Sequence, residues 1–111
     1  MSKSKLMSKT EVECQLIGHL MCTGKRPSTE SLVPMSALRF KQHAWIVMAL
    51  KEAERRGLQT DAVTISELLD EYGMLGRAGG YGYLLELVTE VDPTLSVEEL
   101  SAAFAPKKAV H

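Results

Sequence analysis

The sequence has little that would direct the protein to a membrane or to nucleic acid. No run of apolar residues approaches the roughly eighteen that a membrane-spanning helix requires. Residues 1–9 carry charge but no apolar core, so this stretch is not a secretory signal. Lys and Arg number 13 against 14 Asp and Glu, whereas a dedicated nucleic-acid-binding protein usually has a basic excess. We therefore expect a cytoplasmic protein that binds nucleic acid weakly or not at all.

Cysteine is also scarce. The chain contains two, Cys14 and Cys22, which on one helix would lie about 12 Å apart along its axis. A disulfide requires Cα atoms within roughly 7 Å of each other, and neither cysteine belongs to a C-x-x-C pair. Both residues are therefore expected to be reduced thiols, as is usual in the cytoplasm.

Patterns that carry catalysis or hold a cofactor are missing. The histidines His19, His43 and His111 are not spaced as metal ligands. The glycines match neither a phosphate-binding loop nor G-x-G-x-x-G. We therefore predict no catalytic residue, no metal and no cofactor. His19 is expected to be a partly buried structural residue and His43 to cap or pack a helix, while a nucleophilic pair of Cys22 and His43 stays open as an alternative.

What the chain does contain is helical periodicity. Hydrophobic residues make up 45% and charged residues 24%, values typical of a globular protein, and 111 residues suit one domain. Apolar residues recur three and four positions apart, and no alternating run is long enough for a strand. The sequence predicts an all-α bundle of about five to six short helices at residues 10–105, between a flexible polar arm at residues 1–9 and a tail at residues 106–111.

Local signals predict where the helices begin and end. Residues 10–13, 64–67 and 96–99 each have the Ser/Thr-x-x-Glu form of a capping box. Other helices are predicted over about residues 42–56 and 81–91. A short helix or a loop is expected at 28–33, and Ser36 is expected to cap a turn that brings Leu38 and Phe40 to the core. Glycines that follow the apolar stripes predict three helix ends, at Gly24, Gly57 and Gly73.

The predicted helix over residues 42–56 carries the candidate contact surface. Its charged residues, which include Glu54, are expected to form a solvated outer face. Trp45 lies about 100° around the helix from Ile46, so it either flanks the core or contacts a partner, where tryptophan is enriched. The candidate interface residues are Lys41, Trp45, Met48, Arg55 and Arg56.

Four blocks of the sequence, in order, resemble one family. Residues 11–20 begin E-V-E and continue L-I-G-x-L, and residues 40–46 read F-K-Q-H-A-W-I. Residues 61–69 read D-A-V-T-I-S-E-L-L, and residues 73–87 contain G-M-L followed by A-G-G-Y-G-Y-L-L-E-L. Together they are similar to the N-terminal domain of DnaB-type replicative DNA helicases, across about residues 10–95.

The resemblance implies a helical head domain without a catalytic site. In that family the domain pairs into dimers, forms an N-terminal collar on the hexamer, and provides a docking surface for primase and helicase loaders. The carried-over positions are expected to be structural: a glycine turn, core residues of one helix and the start of another. They are Gly79, Gly80, Tyr83, Leu84, Asp61 and Thr64.

Two departures from the family pattern limit what the resemblance implies. The ATPase domain is absent from this sequence, so the chain is not expected to unwind DNA by itself. The family's C-terminal helical hairpin is replaced by a short tail, which leaves the head-to-head dimer open.

Three functional hypotheses follow. The first is a non-enzymatic protein–protein interaction module of DNA replication. It would be a helicase head or a stand-alone phage- or plasmid-encoded protein that binds a helicase, primase or loader, and it could form a homo-oligomer. The second is a small DNA-binding regulator that uses the lysines of the N-terminal arm with Arg55 and Arg56. The third is a small enzyme that uses Cys22 or His43.

Overall fold

The fold is all-α. The computed structural model describes residues 7–22 and 26–105, and this part of the chain forms six α-helices and one 3₁₀ turn, with no strand. The helices are α1 (Lys9–Cys22), α2 (Thr29–Leu32), α3 (Lys41–Arg55), α4 (Ala62–Glu71), α5 (Gly80–Thr89) and α6 (Val97–Phe104), with the 3₁₀ turn at Met35–Ala37. The predicted all-α bundle is therefore confirmed.

Helix α1 is the centre of the packing. It contacts α3, α5 and α6, so the first helix of the described residues packs on the last two. Its residues Leu16, Ile17 and Leu20 have no more than 1% of their surface exposed. Apolar stripes of the other helices close around it, as the periodicity predicts. The most deeply buried of these are Ile46, Val47, Leu50, Ile65, Leu69, Leu84 and Leu100.

Gly18 allows α1 and α5 to approach closely. A Cβ atom at this position would lie 2.5 Å from the carbonyl oxygen of Leu87 and 2.8 Å from a methyl group of Val91. Real Cβ atoms essentially never come so close to a neighbouring atom. The glycine is therefore required by the packing of two helices, although its own backbone is helical.

Several helix boundaries agree with the sequence signals. Gly57 and Gly73 follow α3 and α4 with φ of +73° and +71°, the left-handed conformation that glycine adopts readily. The amide of Ser96 donates to Glu99 Oε1 at 3.0 Å, and the amide of Glu99 donates to Ser96 Oγ at 3.1 Å. The capping box predicted for α6 is confirmed. Gly24 and the tail at residues 106–111 lie outside the described residues.

The capping box predicted at residues 10–13 is wrong. Helix α1 begins at Lys9, and the reciprocal bonds join Ser8 and Glu11, at 2.8 and 3.1 Å. Glu13 is buried in the core instead of lying on an outer face. Residues 7–9, predicted to belong to the arm, are part of the folded domain, since Met7 packs against the core. Residues 1–6 lie outside the described part of the chain.

Two other local predictions are corrected. Helix α4 is capped by Asp61, whose carboxylate accepts from the amide of Thr64 at 2.9 Å, and not by a box at residues 64–67. The helix therefore begins at Ala62, and Asp61 and Thr64 shape its start as the family resemblance implies. Ser36 lies inside the 3₁₀ turn without capping it. Leu38 packs against the core as predicted, whereas Phe40 is 38% exposed.

The turn before α5 is built on two glycines with positive φ. Gly79 has φ of +108° and Gly80 has φ of +84°. A Cβ at Gly79 would also lie 2.8 Å from the ring of Tyr83, whereas nothing lies within 4 Å of one at Gly80. The backbone conformation alone therefore restricts position 80.

Replacing Gly80 with valine is expected to destabilise the domain by about 1–3 kcal/mol, because a β-branched residue is strained at positive φ. Thermal unfolding would measure the loss. Gly82→Val is the matched control, since Gly82 lies two positions further along α5 with no positive φ and nothing within 4 Å. A Gly80→Val variant as stable as the Gly82→Val variant would contradict the role given to this turn.

Candidate functional site

A buried polar network joins α1, α3 and α5. Glu13 and His43 are both fully buried, and Glu13 Oε2 lies 2.6 Å from His43 Nδ1. The other carboxylate oxygen accepts from the backbone amide of Arg39 at 3.0 Å. His43 Nε2 lies 2.6 Å from the hydroxyl of Tyr83, whose ring stacks on the imidazole. The network therefore satisfies both nitrogens of a histidine placed in an apolar core.

The phenol of Tyr83 keeps its proton near neutral pH. Burial, and after it the neighbouring Cys14, raises the pKa of Tyr83 to about 12. In the Nδ1–H tautomer of His43, this hydroxyl donates to Nε2 and Nδ1–H donates to Glu13. The order of groups is that of a carboxylate–histidine–hydroxyl triad, but the completely buried imidazole lies away from any substrate.

The proposed nucleophilic pair of Cys22 and His43 has no geometric support. Both ring nitrogens of His43 are occupied by Glu13 and Tyr83. Cys22 is exposed and Cys14 is half-buried, and both are free thiols. Burial raises the pKa of each thiol, which disfavours the reactive thiolate. Within the described residues, no group of histidine, cysteine and acidic side chains is arranged to hold a metal ion.

A second polar cluster lies where α3 meets α2. Glu54 accepts hydrogen bonds from the hydroxyl and amide of Thr29, at 2.5 and 3.0 Å, and from Arg26 at 2.8 Å. Although burial raises the pKa of Glu54, these hydrogen bonds outweigh it and the net pKa is lowered. Glu54 therefore anchors α2 and does not belong to the solvated face predicted for it.

His19 has the structural role expected of it. The side chain is buried, and Nε2 lies 2.9 Å from the carbonyl oxygen of Asp92. This contact ties α1 to the segment that follows α5.

The predicted contact residues form one stripe along α3. Lys41 and Met48 are exposed, the latter by 45%, and Trp45 is half-buried against the core. Spacings of four and three residues place the three on one side of the helix. Trp45 thus flanks the core and also retains an accessible edge. We call the stripe of Lys41, Trp45, Met48, Arg55 and Arg56 the α3 surface.

The arginines at the end of the α3 surface are paired with carboxylates. Glu52 bonds to both Arg55 and Arg56, and Arg56 also reaches Glu71 on α4 at 3.4 Å. The hydrogen bonds from Arg55 and then Arg56 lower the pKa of Glu52 to about 2. Tyr72, which is 41% exposed, lies close enough to interact electrostatically with both arginines. The surface is therefore aromatic and nearly neutral, not strongly basic.

Comparison with known proteins places the chain in a family. The DnaB-like helicase N-terminal domain family matches residues 5–102. The chain belongs to this family. Its fold matches the crystal structure of the N-terminal domain of DnaB helicase from Mycobacterium tuberculosis, with a TM-score of 0.74 and 22% sequence identity. That match covers 85% of this chain and 66% of the other, and no curated protein sequence matches the chain.

Three of the sequence blocks that resemble the DnaB-like domain meet in the buried network. Glu13 comes from the first block, His43 from the second and Tyr83 from the fourth. The capping pattern placed Glu13 at a helix start and the family resemblance placed Tyr83 in the core, so neither predicted their connection through His43. The remaining block supplies Asp61, which caps α4. The sequence blocks on which the resemblance rests thus contain the residues of the buried network and the N-cap of α4.

None of the helices in the described part of this DnaB-like domain is long and apolar enough to cross a membrane.

Proposed function

We propose that this DnaB-like domain is a non-catalytic protein–protein interaction module of DNA replication, and that its α3 surface contacts a replicative helicase, primase or helicase loader. Membership of the helicase N-terminal domain family supports a role in DNA replication. The observation that carries the proposal is the stripe of half-buried Trp45 and exposed Met48, with exposed Tyr72 and two arginines close by. Tryptophan, tyrosine, methionine and arginine are the residue types most enriched where proteins bind one another.

The same surface argues against DNA binding as the main activity. Arg55 and Arg56 already face Glu52 and Glu71, so a phosphate would have to displace carboxylates to reach them. The other basis of that hypothesis is the three lysines of residues 1–9. Lys9 is the first residue of α1, and the lysines at positions 3 and 5 lie outside the described residues. A protein partner with an apolar patch and a few hydrogen-bonding groups fits the stripe better than a nucleic acid does.

Titration of the labelled domain with a cognate replicative helicase and, separately, with primase tests the proposal. Met48→Ala is expected to weaken binding about tenfold, as expected for an interface residue whose truncation costs more than 1 kcal/mol. Val63→Ala is the matched control, because Val63 is an equally exposed apolar residue on α4 outside the stripe. Absence of binding to either protein at about 50 µM would contradict the proposal.

Two forms of the module are to be separated. It acts either as the head of a helicase or as a stand-alone phage- or plasmid-encoded protein that binds and modulates a host helicase or primase. The mass of the chain in solution, measured alone and with a helicase, distinguishes self-association from capture by a partner. A heterologous complex in this measurement favours the second form, whereas self-association alone favours the first.

A further inference from the structure

A groove runs between α1 and α5, on a different part of the molecule from the α3 surface. It encloses a cavity of about 400 Å³, within the range of roughly 300–1,000 Å³ that protein ligand sites occupy. Its apolar walls come from both helices and from the segment after α5. They consist of Met7, Cys14, Tyr83, Leu87 and Leu95.

One end of the groove is held in place by side chains of α1. Gln15 donates to the carbonyl oxygen of Glu90 at 2.7 Å and accepts from the amide of Asp92 at 2.9 Å. His19 adds the contact with the carbonyl of Asp92 described above. Three hydrogen bonds therefore fix the distance between the two walls. A ligand would enter a preformed site, so its binding free energy would not be reduced by the cost of ordering that site.

The rim of the groove is acidic. Glu11, Glu86, Glu90 and Asp92 line it, and no described lysine or arginine does. Glu11 and Asp92 are partly engaged in local hydrogen bonds, whereas the structure gives the carboxylates of Glu86 and Glu90 no hydrogen bond or ion pair within the described residues. A concentration of negative charge around a low-dielectric cleft attracts cations and repels phosphate.

We propose that the α1–α5 groove binds a basic, amphipathic segment of a partner protein. An apolar side chain of that segment would enter between Leu87 and Leu95, and its lysines or arginines would face Glu86 and Glu90. The carboxylate rim excludes DNA, RNA and acidic peptides from the same position. A helix or strand that carries lysine beside leucine has the complementary chemistry, because the cavity is apolar inside and charged at its edge.

Binding of a fluorescein-labelled peptide to the full chain tests this inference. The peptide has about twelve residues of Lys, Leu and Ala, with leucine on one helical face over three turns. The double variant Glu86→Lys/Glu90→Lys is expected to bind about tenfold more weakly or worse. Glu67→Lys/Asp70→Lys is the matched control, since it makes the same charge change on the exposed face of α4. Equal losses in both variants would overturn the inference.

Cys14 provides a readout inside the groove. In a Cys22→Ser background, which removes the exposed thiol, saturating peptide is expected to slow alkylation of Cys14 at least about fivefold; an unchanged rate would overturn the inference. Met48→Ala is expected to leave peptide binding unchanged, so failure of the α3 surface and failure of the groove are distinguishable.

Two other occupants are tested in the same experiments. Peptide binding seen only after removal of residues 1–6 would assign the groove to this chain's own N-terminal segment. Self-association of the chain that disappears in Glu86→Lys/Glu90→Lys would assign it to a second copy. Either result would overturn the proposal of a partner segment.

Discussion

Replacing Glu13 with alanine is expected to destabilise the domain by about 3–5 kcal/mol, a large part of the stability of a small domain. The side chain is fully buried and accepts from the backbone amide of Arg39 and from His43. Its removal leaves two polar groups without a partner and a cavity between α1 and α3. Urea denaturation followed by circular dichroism would measure the change.

Two further variants test whether the loss of stability comes from the hydrogen-bond network or from the removal of any glutamate. Tyr83→Phe removes one hydroxyl and leaves His43 Nε2 without its partner, so a smaller loss of about 1–3 kcal/mol is expected. Glu67→Ala, on the exposed face of α4, should alter the free energy of unfolding by less than about 0.5 kcal/mol. If Glu13→Ala were no more harmful than Glu67→Ala, the buried network would contribute nothing to stability.

Replacing Gly18 with alanine is expected to destabilise the domain by about 2–3 kcal/mol, because overpacked cores lose stability of this order. The added methyl group would meet the carbonyl oxygen of Leu87 at 2.5 Å. That atom belongs to the backbone of α5, so α1 and α5 must separate or tilt to admit the methyl group. The loss is expected even though alanine is the better helix former by about 1 kcal/mol.

Gly82→Ala is the control for the Gly18 prediction. Gly82 also lies within a helix, but it is exposed and nothing lies within 4 Å of an added Cβ atom. No steric clash offsets the higher helix propensity of alanine at this position, so the variant is expected to be more stable by about 0.5–1 kcal/mol. The two glycine-to-alanine changes should therefore shift the melting temperature in opposite directions. A stabilised Gly18→Ala variant would show that the helices do not depend on this close contact.

The sequence predicted helices well but could not select among overlapping capping patterns. Ser8 with Glu11 and Thr10 with Glu13 both have the form of a capping box, and only the burial of Glu13 excludes the second. The partner of Glu13 is His43, which lies 30 positions away, and local patterns carry no information about such a contact. Ser96 and its box were predicted correctly because no overlapping pattern competes there.

The candidate surfaces were predictable to different degrees. Helical periodicity placed Trp45 beside the core stripe, and the structure has it half-buried at that edge. The acidic α1–α5 groove could not be predicted in the same way, because Glu11 and Glu90 become neighbours only when the first and fifth helices pack together. The role of Glu54 in anchoring α2 could not be predicted for the same reason, because its partners Arg26 and Thr29 belong to a different segment of the chain.

The position of α1 has a consequence for the order in which the protein can fold during synthesis. Helix α1 leaves the ribosome before α5 and α6, the two helices with which it makes most of its contacts. The apolar residues of α1 therefore lack most of their packing until α5 and α6 have emerged, because these contacts are distant in sequence. Folding must be largely a late event, and a chain that stops before α6 would present an open apolar surface to chaperones and proteases.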